Sequence, residues 1–161
     1  MLEGLNPSQI EGRLRNAAVD FLQQRLIVPK IFLEAAWPTY NRVDVLAVDR
    51  AGAGDIHVVE VNSTINSIYE AVARLLPLPA HYKYVVTIET VNLHPIDESR
   101  LYAIDGMGRV GIIVVAERPA DKSLQSRLAI APERFRLEGK YWKEVDTFLA
   151  SAAPDVEIRD R

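Results

Sequence analysis

Two acidic residues, Asp44 and Glu60, occur in otherwise apolar, β-branched segments of the sequence. Residues 42–49 (RVDVLAVD) and 55–61 (DIHVVEV) have the composition of β-strands. A carboxylate buried among such residues is unfavourable unless it is paired, hydrogen-bonded or bound to a cation. Two carboxylates at one site suit Mg²⁺, which completes its octahedron with water and substrate phosphate. These residue types point to metal-dependent phosphodiester hydrolysis if the two side chains converge.

A β-hairpin over residues 42–62 would bring the two acids together. Residues 50–54 (RAGAG) separate the two segments, and their glycines can supply the positive φ angles of a turn. Side chains alternate along a strand, so Asp44 shares a face with Leu46, and Glu60 shares one with Asn62. Asp44 lies near the start of its strand and Glu60 near the end of the next. Antiparallel pairing therefore predicts that both lie at the same end of the sheet.

The spacing of apolar residues and the positions of capping residues and prolines predict the elements around this hairpin. Asn6 and Pro7 favour the start of a helix over residues 7–26, and Ser63 or Thr64 favours the start of a second helix that ends before Pro77. The other predicted elements are strands at 31–36, 83–88 and 127–131, a surface loop at 91–100, a second hairpin pairing 101–105 with 109–117, and a final helix at 140–151. The order helix, three strands, helix, strand predicts a mixed sheet with helices packed on it.

The overall composition is that of one globular α/β domain. Of 161 residues, 48% are hydrophobic and 25% are charged, which is ordinary for a compact fold. The absence of cysteine excludes disulfides, thiolate zinc sites and a cysteine nucleophile. No apolar run approaches the roughly 20 residues of a membrane span, and the first residues lack a signal-peptide pattern. We therefore expect a cytoplasmic protein.

The ordered motifs resemble those of a known nuclease superfamily. Residues 42–45 (RVDV), a hairpin, and then residues 59–63 (VEVNS) leading into a helix resemble the PD-(D/E)XK core, especially its compact Holliday-junction-resolvase-like and DUF-type branches. Residues 108–115 (GRVGIIVV) are similar to the glycine-plus-hydrophobic strand that often follows. The resemblance covers roughly residues 7–117. It implies a restriction-endonuclease-like core in one domain over 1–161, with a mixed sheet flanked by helices and a C-terminal hairpin and helix.

The resemblance also implies a site and an activity. In this superfamily the two acids bind the metal, so Asp44 and Glu60 become ligands of Mg²⁺ or Mn²⁺, and Glu11 of the first helix can complete the set. DNA is the implied substrate, cleaved by a hydrolase, and a homodimer is expected by analogy. From the residues alone, Glu11 is better explained as a solvated acid in the first turn of a helix, where the dipole favours it.

The sequence departs from the superfamily at the position of the motif lysine. That lysine lies two residues after the glutamate, where it orients or activates water and stabilises charge on the phosphate; here the residue is Asn62. Asparagine can hydrogen-bond to water or phosphate but carries no charge. Either the activity is reduced or lost, or another cation has taken over. Lys83, Arg42 and the more distant Arg74 are the candidates.

Two other interpretations stay open. The chain can be a catalytically inactive nuclease-fold protein that binds nucleic acid or protein, or an α/β domain whose acids are purely structural. In the second case Asp44 and Glu60 would be satisfied by backbone N–H groups or by Arg42, and Asn62 and Ser63 would only be the loop and N-cap of the second helix. A histidine metal site is not favoured, because His57, His81 and His94 are too far apart in sequence to form a ligand pair.

Overall fold

The structure, a computed structural model, describes residues 4–27, 29–37, 42–49, 54–63, 68–89, 96–137, 142–151 and 156–157. The helices are α1 (Pro7–Arg25), α2 (Ile68–Leu75) and α3 (Trp142–Ser151). The strands are β1 (Lys30–Ala36), β2 (Arg42–Val48), β3 (Ile56–Asn62), β4 (Tyr82–Ile88), β5 (Gly111–Glu117), β6 (Leu124–Ile130) and the two-residue β7 (Val156–Glu157). The first six elements follow the predicted order of helix, three strands, helix and strand.

One mixed sheet joins all seven strands, in the order β6-β5-β4-β3-β2-β1-β7. Strands β1, β2 and β3 pair antiparallel, whereas β3, β4 and β5 pair parallel. The predicted hairpin over residues 42–62 is confirmed as β2 and β3. The parallel β3–β4 pair requires a crossover, and helix α2 provides it. The mixed α/β class is therefore confirmed.

Helices cover both faces of the sheet. Helix α1 packs its buried residues, including Leu14 and Leu22, against one face through Val45, Val59 and Val86. Its start is the predicted one: Asn6 accepts a hydrogen bond from the backbone N–H of Gln9, and the Gln9 side chain accepts one from the N–H of Asn6. No helix in the described ranges is long and apolar enough to cross a membrane.

Helix α2 lies on the opposite face. Its buried residues Ile68, Ala71, Val72 and Leu75 belong to a core with Leu46 and Val58. Phe148 of α3 joins the same core through edge-to-face contacts with Phe32 and Trp37. The other residues predicted on the buried side of α3 are Trp142, Val145 and Leu149, whose side chains lie outside the described part of the chain. The sheet is consequently flanked on both faces.

Several element boundaries differ from the prediction. The turn at 106–108 exists, but only Tyr102 and Arg109 form an antiparallel bridge, and β5 pairs with β4 and β6 instead. The predicted second hairpin is therefore confirmed only beside its turn, where the Val110 N–H also donates to the Leu101 carbonyl, and it is wrong for residues 111–117. A 3₁₀ turn, Glu98–Leu101, occupies the end of the predicted surface loop. Residues 90–95, the cap candidate Thr64 and residues 140–141 lie outside the described ranges.

Candidate functional site

Three carboxylates from three adjacent strands lie in one row across the sheet. The pairs Leu33–Val45 and Ala35–Val43 flank Glu34 and Asp44, so these two face each other. The β2–β3 register ends at Val45 opposite Val59, and its continuation places Asp44 opposite Glu60. Like charges directly opposite each other destabilise a sheet. This row is therefore an arrangement that folding alone does not favour.

The backbone is distorted at the same row. Glu34 has φ of +50°, in the left-handed region that costs a non-glycine residue roughly 1–2 kcal/mol. Residues two apart in a strand normally share a face. Here Leu33 and Ala35 pack into the cores on opposite faces, and Val45 and Val43 do the same. The regular alternation of side chains between the two faces of the sheet is therefore interrupted at Glu34 in β1 and at Asp44 in β2.

The row opens into a polar cavity of about 340 Å³ at the junction of the sheet with α1 and α2. The cavity is lined by Ser8, Glu11, Gly12, Arg15, Glu34, Asp44, Glu60, Val61 and Arg74. All three residues proposed as metal ligands, Asp44, Glu60 and Glu11, are brought together there. With every group ionised, four acidic and two basic side chains give this lining an excess of two negative charges, which matches the charge of one divalent cation.

Asp44 is fixed by the backbone of the neighbouring strand. Its Oδ2 accepts a hydrogen bond of 2.7 Å from the N–H of Val61, just beyond the point where β2 and β3 stop pairing. Burial raises the pKa of Asp44 above its usual range, and this hydrogen bond opposes the rise. Among the residues that the structure describes, Asp44 has no arginine or lysine in an ion pair. The negative charge of Asp44 is therefore available to a cation that enters the cavity.

Glu60 is held by an arginine of helix α2. Arg74 Nε donates to Glu60 Oε1 at 3.1 Å, and the Glu60 side chain is only 14% exposed. Burial, with a further contribution from the Asp44 charge, raises the pKa of Glu60 to about 7. Glu60 is therefore poised between its charged and neutral forms near neutral pH. A bound cation would favour the charged form.

Glu34 was not predicted as a site residue, although it lies at the centre of the distortion. Arg42 Nη2 donates to Glu34 Oε2 at 2.6 Å, and Arg15 Nη1 lies 3.4 Å from Oε1. Arg42 itself does not line the cavity. The signal in the sequence was a lone acid inside the apolar segment IFLEAA. Only the register with Asp44 gives that acid a place in the site.

The two remaining predicted site residues lie elsewhere. Asn62 is the last residue of β3 and is 5% exposed, but it does not line the cavity. Lys83 is 3% exposed, and its Nζ donates to the carbonyl of Leu76 at 2.7 Å and lies 4.1 Å from the ring centre of Phe135. It therefore caps the end of α2 and lines a different cavity. The structure does not bring Lys83 to the two acids.

The arrangement is a set of hard oxygen ligands beside arginines. No group of three or more histidine, cysteine, aspartate or glutamate side chains within the described ranges is placed so as to hold a metal ion as it stands. Glu34 and Glu60 are turned to their arginines instead. The donor set suits Mg²⁺ or Mn²⁺, which need few protein carboxylates and keep water or phosphate as further ligands. Chemically, the cavity lining presents carboxylate oxygens and guanidinium groups side by side.

Comparisons with known proteins give a fold relationship only. No protein-family model matches the chain, and no curated protein matches it. The chain is similar to the solved structure of SPO1766, a protein of unknown function from Silicibacter pomeroyi, with a TM-score of 0.56 and 17% sequence identity. The similarity covers 91% of this chain and 86% of the other. At this identity the match supports the overall α/β architecture and carries no information on activity.

Proposed function

We propose that this chain is a PD-(D/E)XK-like metal-dependent phosphodiesterase that acts on DNA, with a restriction-endonuclease-like core and an altered cationic group. The observation that carries the proposal is the convergence of Asp44, Glu60 and Glu11 in one open, acidic cavity. The element order and the parallel β3–β4 crossover through α2 support it. So does the cost of the acid row: arginines pair with Glu34 and Glu60, but none pairs with Asp44 among the described residues, and a bound cation would offset that remaining charge.

The proposed chemistry divides between the two kinds of residue in the cavity. Asp44 and Glu60 would hold Mg²⁺ or Mn²⁺, and Glu11 would complete the set, directly or through water. The ion would polarise the phosphate and lower the pKa of a bound water. Arg15 and Arg74 line the same cavity and carry the positive charge that Asn62 cannot provide. Arginine suits this role because its planar guanidinium matches two phosphate oxygens at once.

A plasmid-nicking assay tests this proposal. Supercoiled plasmid is incubated with Mn²⁺ or Mg²⁺ and wild-type protein, the Glu60→Ala variant, or the Glu89→Ala variant. Glu89 is a surface acid that pairs with Arg127 at 2.8 Å, away from the cavity. We expect metal-dependent nicking by the wild type and by Glu89→Ala, and none by Glu60→Ala. Equal, background nicking by all three proteins would refute a nuclease.

A second candidate is a catalytically inactive nuclease-fold protein that acts as a binding module. It is favoured by Asn62, which is neutral and buried where the motif lysine would lie. This candidate predicts that the protein binds duplex DNA without cleaving it. It also predicts that Asn62→Lys gains metal-dependent cleavage if the lysine is all that is missing.

Homodimerisation also belongs to the proposal, and sedimentation velocity would test it.

A further inference from the structure

Arg74 enters the cavity from a different element than the acids do. It belongs to the last turn of α2, and its side chain is 57% exposed, whereas the Glu60 side chain that it contacts is 14% exposed. The guanidinium thus lies at the mouth of the cavity, with the carboxylate beneath it. An ion pair with one exposed partner is weak and readily broken.

A divalent cation at Glu60 would need the carboxylate that Arg74 now contacts. Glu60 Oε1 accepts from Arg74 Nε at 3.1 Å. A divalent ion on the same carboxylate would place two positive charges beside the guanidinium, and the two cations would repel each other. The guanidinium of Arg74 and the metal ion therefore cannot both bind the Glu60 carboxylate tightly. The arginine is the one that can leave, because it is long and mostly solvent-exposed.

We propose that Arg74 and the divalent cation compete for Glu60, and that the displaced guanidinium becomes the group that binds the substrate phosphate. This inference rests on the proposed function. In the metal-free protein Arg74 neutralises Glu60, and this contact holds the guanidinium at the carboxylate through Nε. When the ion takes the carboxylate, the guanidinium is released at the cavity mouth, where a phosphodiester bound to the ion would lie. Metal binding thus switches on phosphate binding.

The other arginines of the site do not have this geometry. Arg15 lies on α1, is 33% exposed, and contacts Glu34 rather than either residue of the Asp44–Glu60 pair. Arg42 is bound to Glu34 at 2.6 Å and does not line the cavity. Arg74 alone among the described arginines contacts a member of that pair. The role left open at Asn62 is therefore assigned to a side chain from α2.

The test measures two affinities in the same set of proteins: wild type, Arg74→Gln, Arg74→Lys and the control Arg127→Gln. Arg127 is matched because it is 55% exposed and forms a surface ion pair with Glu89. Isothermal titration with Mn²⁺ alone gives the metal affinity. Fluorescence anisotropy of a labelled DNA duplex, with and without Ca²⁺, gives the affinity for the DNA phosphates. Ca²⁺ is used because it slows hydrolysis of the duplex during the measurement.

We expect the two affinities to change in opposite directions in Arg74→Gln. The Mn²⁺ affinity should rise about two- to fivefold, because an exposed ion pair no longer competes. Duplex affinity in Ca²⁺ should fall by about tenfold or more, because a charge-assisted contact is lost. Without Ca²⁺ the variant should bind the duplex as the wild type does. Arg74→Lys keeps the positive charge, so its two affinities should lie between those of the wild type and those of Arg74→Gln. Arg127→Gln should change neither affinity.

The failures of the two proposals differ. If the wild type binds Mn²⁺ but Arg74→Gln binds it no more tightly, competition is refuted and the metal site stands. Unchanged duplex affinity in Ca²⁺ would refute the phosphate role of Arg74. If the wild type takes up no Mn²⁺, the proposed function and this inference both fall. A parallel loss of both affinities in Arg74→Gln and Arg74→Lys would make Arg74 a structural residue and overturn the inference.

Discussion

Replacing Glu60 by glutamine should stabilise the protein at alkaline pH. The native state holds the Glu60 proton tightly, because burial and Asp44 raise the pKa of this carboxyl from 4.5 to about 7. The unfolded chain releases the proton near its ordinary pKa. The free energy of unfolding of the wild type therefore falls as the pH rises from 4.5 through 7, and Glu60→Gln is spared this loss.

The size of the effect follows from the same two pKa values. A tenfold difference in proton affinity corresponds to about 1.4 kcal/mol, so the full difference for Glu60 is roughly 3 kcal/mol. Part of this is already present at pH 5, where the unfolded chain is mostly ionised. The stability advantage of Glu60→Gln should consequently grow by about 2 kcal/mol between pH 5 and pH 8.

Urea denaturation at pH 5 and pH 8, without divalent cations, measures this difference. The comparison of variant with wild type cancels the contributions of other titrating groups. Glu89→Gln is the matched control, because Glu89 also pairs with an arginine but lies at the surface; it should gain no stability at pH 8. A Glu60→Gln variant with the same advantage at both pH values would refute the argument that Glu60 is buried beside a second acid.

Further substitutions test other parts of the structure. Burial lowers the pKa of His57 to about 4. The free energy of unfolding of the wild type therefore falls as the pH drops below 6.5, because the unfolded chain binds the proton first. In urea titrations, His57→Gln should reduce the loss of stability between pH 7 and pH 4.5 by about 2 kcal/mol. Glu34→Val should destabilise by about 2 kcal/mol although valine favours strands, whereas Glu34→Asn should not, because asparagine tolerates positive φ; equal melting temperatures would refute the strain. Gly12→Ala should raise stability by about 0.5–1 kcal/mol, because a Cβ there meets nothing within 4 Å, and should weaken Ca²⁺-dependent duplex binding by placing a methyl on the cavity wall; a less stable variant would contradict the open geometry.

The elements that local sequence determines were predicted well. The cap at Asn6, the proline at the first turn of α1 and the positive φ of Gly54 before β3 are signals carried within a few residues, whereas residues 50–53 of the predicted turn lie outside the described ranges. The convergence of Asp44 and Glu60 followed from their positions at the same end of an antiparallel hairpin, and both line the cavity. Here the local pattern and the tertiary structure agree.

The parts that were missed depend on contacts distant in sequence. Lys83 could not be placed, because its role depends on the carbonyl at the end of α2 packed against β4. Glu34 was overlooked because a left-handed residue inside a strand leaves no periodic signature. The partner of β5 is also non-local: the turn at 106–108 suggested a hairpin, but β5 is buried between β4 and β6. Alternation assumes a regular strand, and the site lies where the strands are irregular.

Titration of the wild-type protein with Mn²⁺, monitored by isothermal calorimetry, measures whether the cavity binds a divalent cation. We expect one ion to bind per chain at the cavity of Asp44 and Glu60, with binding lost in Asp44→Asn and in Glu60→Gln and retained in Glu89→Gln. Asp44→Asn is informative because the amide oxygen can still accept the Val61 hydrogen bond while the charge is removed. A wild-type protein that takes up no ion, or an Asp44→Asn variant that binds as tightly as the wild type, would contradict this expectation.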